Sequence, residues 1–129
     1  IMIATGSSPM VPPIPGLHDV PYLTNDNFFE QETLPKSIIV LGAGAIGMEL
    51  SQAMNRLGVK VTVVEMMSEV MFREEPEFSA LIREKLESEG VTFHIGTKAV
   101  GVEKTDTITR GALVYTLKQS RYASKTRHR

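Results

Sequence analysis

Three glycines and one acid carry the chemistry that can be read in this chain. Gly42, Gly44 and Gly47 fall in the run Gly42-Ala43-Gly44-Ala45-Ile46-Gly47, and Glu65 follows the third glycine by 18 residues. A glycine at the first position permits a tight turn, one at the second lets a ligand approach the backbone, and one at the third lets a helix pack closely on a strand. A helix that starts inside the run turns free N–H groups and the positive end of its dipole toward an anion such as a pyrophosphate. An acid at the end of the next strand can accept hydrogen bonds from an adenosine ribose, and its charge repels a 2'-phosphate. No Lys or Arg lies between Met66 and Phe72 to offset that charge, so the pattern predicts NAD(H) in preference to NADP.

The elements that must position these residues are legible on either side. Ile38-Ile39-Val40-Leu41 is an apolar run of the kind buried in parallel sheets, and it leads straight into the glycines. Ile46, Leu50, Ala53, Met54 and Leu57 then repeat at helical spacing as the predicted buried stripe of a helix that Gly58 stops. Val59 to Val64 is a second apolar strand, and Glu65 ends it. Strand, Gly-x-Gly-x-x-Gly, helix, strand and acid together form a dinucleotide-binding fingerprint in its full context. The competing reading is a glycine-rich turn followed by a solvated acid with no ligand, and the flanking elements argue against it.

At 129 residues, the chain can build one domain with a real core. No apolar run approaches the length of a membrane span, and no signal peptide opens the sequence. The absence of cysteine leaves no disulfide, cysteine–metal or thiol redox site in these residues, and it fits a cytoplasmic protein. Charge is uneven: all 15 acids lie at or before Asp106, and six of the 14 Lys and Arg follow it. A basic end can signal nucleic acid. This one, SRYASKTRHR, has no apolar periodicity and is expected to be a disordered tail, with no nucleic-acid partner and no membrane.

Taken in order, Ile1 to Ala4 read as a strand entering the Thr5-Gly6 turn, and the prolines from Pro9 to Pro15 make an extended connector. Thr24 is a candidate N-cap for a short helix over residues 25–31. Beyond Glu65, residues 66–72 read as an irregular loop with a packing Met cluster. Pro76 sits near the start of a second helix whose predicted stripe is Phe78, Leu81, Ile82 and Leu86, ending at Gly90. Val91 to Ile95 is the third parallel strand. Ala99 to Lys104 and Leu113 to Leu117 read as an antiparallel pair. His94 and His18 are expected to be structural, and no metal site is expected.

The order of Ile3-Ala4-Thr5-Gly6-Ser7-Ser8-Pro9, the Val-Pro-Pro-Ile-Pro-Gly connector, LGAGAIGMEL and VTVVE resembles the pyridine nucleotide-disulfide oxidoreductases, flavoproteins that include dihydrolipoamide dehydrogenase and mercuric reductase. The Phe-Arg-Glu-Glu-Pro run is closer to the mercuric reductase branch. The resemblance implies an α/β fold: a Rossmann-like three-layer NAD(P)-binding domain with a parallel sheet and a small antiparallel meander, incomplete at its C-terminal end. It divides the chain into residues 1–34 (end of an FAD-domain strand, connector and short helix), 35–117 (the NAD-binding domain) and 118–129 (the tail).

By the same resemblance, Thr5, Gly6 and Ser7 touch the flavin nucleotide, Glu49 orients the nicotinamide near the flavin, and Ala99 with Lys98 lies near the adenine. Ala45 stands where some members carry a flavin-covering tyrosine. No catalytic residue is expected in the chain itself. FAD, the redox cysteines and the dimerisation domain with its His-Glu couple would belong to other segments of a parent enzyme, so the chain alone is expected to bind NAD(H) without turnover. A homodimer is a further expectation, as is insertion of Ile1 to Ala4 beside the Ile38–Leu41 strand. Two alternatives remain open: a non-catalytic dinucleotide-binding module and a structural remnant that does not bind. A short-chain dehydrogenase is disfavoured, because Tyr115 is followed four residues on by Gln119 rather than lysine.

Overall fold

The computed structural model describes residues 2–109 and 112–121, with side chains up to residue 104. Strand β1 (Ser37–Leu41) leads through the glycine run into α1 (Ala45–Arg56), then β2 (Lys60–Val64), α2 (Pro76–Ser88) and β3 (Thr92–His94). The three strands are parallel in the order β1-β2-β3, with Ile38 opposite Val61, Val40 opposite Val63 and Val63 opposite Phe93. Right-handed crossovers in that order put both helices on one face of the sheet. Strand β4 (Thr97–Thr109) and β5 (Ala112–Arg121) form a separate antiparallel hairpin with register shifts at Ala99/Gly101 and Thr105/Ile108. This is a mixed α/β architecture built on a parallel sheet, as the sequence predicts.

The core lies between β2 and the helices. Val61, Val63 and Val70 are fully buried, and Met48, Met54, Val59, Leu86 and Val91 surround them. Pro76 occupies the first turn of α2, where its missing N–H removes no helical bond. Gly58 (φ 87°) and Gly90 (φ 104°) end the two helices in the left-handed region that glycine adopts without strain.

The predicted stripes need correction. In α1 the buried side chains are Met48, Ser51 and Met54, whereas Ile46 and Leu57 are exposed, and in α2 Phe78 and Leu81 are exposed while Ser79 and Leu86 are buried. Apolar spacing identifies both helices, and Met54 and Leu86 of the predicted stripes are buried as expected, but Ser51 and Ser79, which lie outside those stripes, are buried as well. Ser79 is held by a hydrogen bond from its hydroxyl to the Met71 carbonyl. Ser51 Oγ is buried with no hydrogen-bond partner.

The N-terminal segment also departs from expectation. Residues 2–10 form no strand, Met2 and Ile3 are 91% and 82% exposed, and among the described residues β1 pairs only with β2. Met2 to Ala4 therefore do not fill the slot beside β1 within the chain, and Ile1 lies outside the described residues. The connector is anchored further along instead: the Val102 N–H donates to the Pro15 carbonyl (2.8 Å), and Leu17 is buried in a short 3-10 helix, Leu17–Asp19. A Cβ at Gly16 would run into the Val102 carbonyl, so this anchor requires glycine. Residues 25–31 shorten to a turn and the 3-10 helix Phe28–Glu30, and the Asn27 carboxamide accepts the Thr24 N–H (2.8 Å), an N-terminal cap consistent with Thr24 at the start of the turn. Strand β5 runs to Arg121, four residues into the predicted tail, and residues 122–129 lie outside those described.

One ion cluster ties the two helix ends together. Arg56 Nη2 and Lys85 Nζ approach Glu89 Oε1 at 2.7 and 3.2 Å, and Asn55 Nδ2 donates to the Glu89 carbonyl at 2.8 Å. The hydrogen bond from Arg56, aided by Lys85 and opposed by desolvation, lowers the Glu89 carboxyl from its ordinary 4.5 to about 2. Because the folded value is depressed, the stabilisation is complete above pH 4.5 and is lost as pH falls through about 2. The expected outcome for Arg56→Ala is a lower melting temperature at neutral pH and a difference from the parent chain that shrinks as pH approaches 2. Thermal melts across that range check it, and a pH-independent difference would contradict it.

Candidate dinucleotide-binding site

Leu41 ends β1, and Gly42 turns the chain with φ 102°, a conformation that requires glycine. The first intrahelical bond runs from the Met48 N–H to the Gly44 carbonyl at 2.9 Å. The N–H groups of Ala45, Ile46 and Gly47 precede it and have no helical acceptor, so the N-terminal end of α1 presents donors and a partial positive charge.

The glycines serve different purposes. A Cβ at Gly47 would collide with the Gly42 carbonyl and lie 3.5 Å from Val40 Cγ1, so the third glycine is demanded by the protein's own packing. A Cβ at Gly44 would meet no protein atom within 4 Å, and the backbone there (φ −74°, ψ 178°) is open to any residue. The protein itself does not need glycine at 44. Open space directly over the backbone at a helix N-terminus fits the approach of a pyrophosphate.

Glu65 is not the solvated acid of the competing reading. It is 8% exposed, and its two carboxylate oxygens each accept a backbone N–H: Oε2 from Ala43 and Oε1 from Met67, both at 2.6 Å. Its main chain is also engaged, donating to the His94 carbonyl (3.0 Å) and accepting from the Thr97 N–H (2.8 Å). A carboxylate offers about four acceptor sites, so two remain after these bonds, enough to meet a ribose diol. Ala43 is held from the other side as well, its carbonyl accepting the Met71 N–H at 2.7 Å. Met71 sits at φ 46°, and its own carbonyl accepts from the buried Ser79 hydroxyl at 3.3 Å.

Two grooves adjoin the turn. One of about 330 Å³ is lined by Gly44, Ala45, Met71, Phe72, Arg73 and Glu74. The other, of about 390 Å³, runs between the helices, with Glu49, Gln52 and Lys85 at its polar rim. Arg73, one residue past Phe72, is not among the residues predicted from sequence to line the site. It stacks over the Phe72 ring at 5.5 Å and puts a positive charge in the wall of the smaller groove.

The remaining candidates are distributed unevenly. Gly42 to Gly47 and Glu65 converge, and exposed Glu49 stands one turn into α1. Ala99 is half-buried in β4, two residues past the Thr97 N–H that reaches Glu65, and Lys98 is exposed. Thr5, Gly6 and Ser7 are exposed, and among the described residues no hydrogen bond joins them to the turn. His94 is exposed on the edge strand β3, and His18 packs edge-on against Tyr22 at 5.6 Å. No group of three or more His, Asp or Glu among the described residues could hold a metal ion, and none of the described helices is long and apolar enough to cross a membrane.

Parallel sheet, glycine turn, donor-rich helix start and strand-end acid define an α/β domain of Rossmann-like architecture. Residues 1–124 match the family model for pyridine nucleotide-disulphide oxidoreductases, and the chain belongs to that family. It is 40% identical over 115 residues to a mercuric reductase of Shigella flexneri, covering 89% of this chain and 20% of the relative. It is 45% identical over 106 residues to a dihydrolipoyl dehydrogenase of Thermus scotoductus, covering 80% and 22%. Among solved structures it resembles the HOCl-induced flavoprotein disulfide reductase of Escherichia coli (TM-score 0.74, 26% identity, 86% of this chain and 27% of that one). It also resembles the water-forming NADH oxidase of Lactobacillus brevis bound to NADH (TM-score 0.68, 26% identity, 91% and 27%). The chain thus spans about a fifth of the length of the curated relatives it matches.

The two glycines yield opposite expectations. Gly47→Ala should destabilise the domain by about 1–3 kcal/mol through overpacking, whereas Gly44→Ala should leave stability within about 0.5 kcal/mol of the parent. Urea titrations followed by circular dichroism compare the two. Equal losses would contradict the assignment of distinct roles.

Proposed function

We propose that this chain is the NAD(H)-binding domain of an FAD-dependent disulfide reductase-type oxidoreductase. The observation that carries the proposal is the open space over Gly44 at the donor-rich start of α1, beside a turn already fixed through Ala43. In this reading the backbone N–H groups of Ala45 to Gly47 hold the pyrophosphate, and Arg73 adds a positive charge from the groove wall. The free acceptor sites of Glu65 take the adenosine ribose, with Ala99 near the adenine. Glu49 orients the nicotinamide carboxamide. When bound, the dinucleotide supplies the hydride and FAD, held by other segments of the parent enzyme, accepts it. Thr5, Gly6 and Ser7 would meet FAD only when that domain is present, in keeping with their exposure here.

The buried charge of Glu65 favours NADH over NADPH, since a 2'-phosphate would face a carboxylate with no cationic partner among the described residues. The electron acceptor in the parent enzyme is proposed only as a class, a disulfide such as lipoamide, a mercuric ion or oxygen, in line with the relatives' names. A binding module without catalysis is the second reading, supported by the completeness of the turn within this chain.

Titration of the chain with NADH, followed by nicotinamide fluorescence, tests the proposal alongside NADPH and Gly44→Val. Saturable NADH binding, weaker NADPH binding and a loss of at least about tenfold in Gly44→Val with an unchanged melting temperature are expected. A cooperative melt with no NADH binding by the parent chain would overturn the proposal.

A further inference from the structure

We infer that Glu65 is a positioning residue for the phosphate-binding turn, in addition to any contact it makes with a ribose. The geometry carries this. Ala43 and Met67 lie on opposite sides of the Glu65 side chain, one in the glycine run and the other in the loop after β2, and each gives its N–H to a different carboxylate oxygen. The acid is more than nine-tenths buried, so neither bond competes strongly with water. A carboxylate is the one protein side chain that can accept from two N–H groups at once without offering a donor of its own. Glutamine could accept one of them and would turn its NH2 toward the other donor.

The consequence reaches past the adenosine. Ala43 is two residues before the start of α1, and fixing its N–H fixes the path of Gly44 over which the pyrophosphate lies. Glu65 therefore governs affinity for the phosphate portion of a ligand that it does not itself touch. The same two bonds hold the charge in place, so the side chain cannot swing aside for a 2'-phosphate. Exchange of Glu65 for a neutral residue loosens the turn and does not convert the chain to NADPH.

The ligand named here rests on the dinucleotide reading above, whereas the latch itself can be measured without any ligand. In the 15N-labelled parent chain, amide hydrogen exchange should show Ala43 and Met67 protected, although both lie outside helices and strands. In Glu65→Gln at least one of the two should exchange about tenfold faster or more, while Val61 and Val63 keep their protection. Unprotected amides at 43 and 67 in the parent chain would overturn the inference whether or not the variant folds, as would full protection of both in Glu65→Gln.

A second arm titrates inorganic pyrophosphate, which has no ribose. Removing a negative charge should by itself tighten an anion, so weaker pyrophosphate binding in Glu65→Gln supports positioning, and unchanged or tighter binding overturns it. A gain in NADPH affinity in that variant overturns it too. Failure of the parent chain to bind NADH would sink the dinucleotide reading but leave the exchange experiment to decide the latch.

Discussion

The structure depends on one buried carboxylate that has no ion-pair partner among the described residues. Leaving a charge in the interior costs several kcal/mol unless it is bonded, and Glu65 meets that requirement with two backbone N–H groups at 2.6 Å. Hydrogen bonds to charged groups contribute roughly 1.5–3 kcal/mol each, about twice a neutral one. With its main-chain bonds to His94 and Thr97, the residue joins β2, the glycine turn, the following loop, β3 and the start of β4. Five separate segments converge on this one residue. The glycine turn is thereby held in place by the protein's own bonds; in the proposed reading that lowers the ordering cost of binding a ligand there.

A second constraint follows from where apolar surface is left uncovered. Ile39, Leu41, Ile46 and Leu57 are all exposed, and they belong to β1 and the adjoining α1 face. On the opposite side of α1, Met48 and Met54 are sealed against β2 and α2, and the Arg56–Glu89–Lys85 cluster closes the helix ends. The half of the domain around β2 is self-contained. The half around β1 carries its apolar residues toward solvent in this chain, which spans about a fifth of its curated relatives.

Much of this was legible in the sequence, because the local signals agreed. The run from Ile38 to Glu65 combined a strand-length apolar segment, glycines at fixed spacing, helical periodicity and a stop at Gly58, and each predicted element formed within about a residue of its place. The helix faces were not legible in the same way. Periodicity reports that a helix has an apolar stripe without saying what covers it, so of the predicted stripes Met54 and Leu86 are buried while Ile46 and Leu57 are exposed, and Ser51 and Ser79, outside the stripes, are buried too. Met2 to Ala4 have strand composition but form no strand. Glu65 was recognised as important, yet its partners lie 22 residues back at Ala43 and two residues on at Met67. Backbone donors leave no trace in side-chain identity, so the latch appears only in three dimensions. Arg73 escaped because groove walls are set by the fold of a loop, not by distance along it.

The most direct test of the central claim, that this chain binds a dinucleotide at the turn before α1, is an amide chemical-shift map of the 15N-labelled protein as NADH is added. The account predicts saturable shifts that are largest at Ala43 to Gly47, Glu65 and Met67. Shifts centred instead on Leu81, Ile82 and Lys85 in the groove between the helices, or none that saturate, would contradict it.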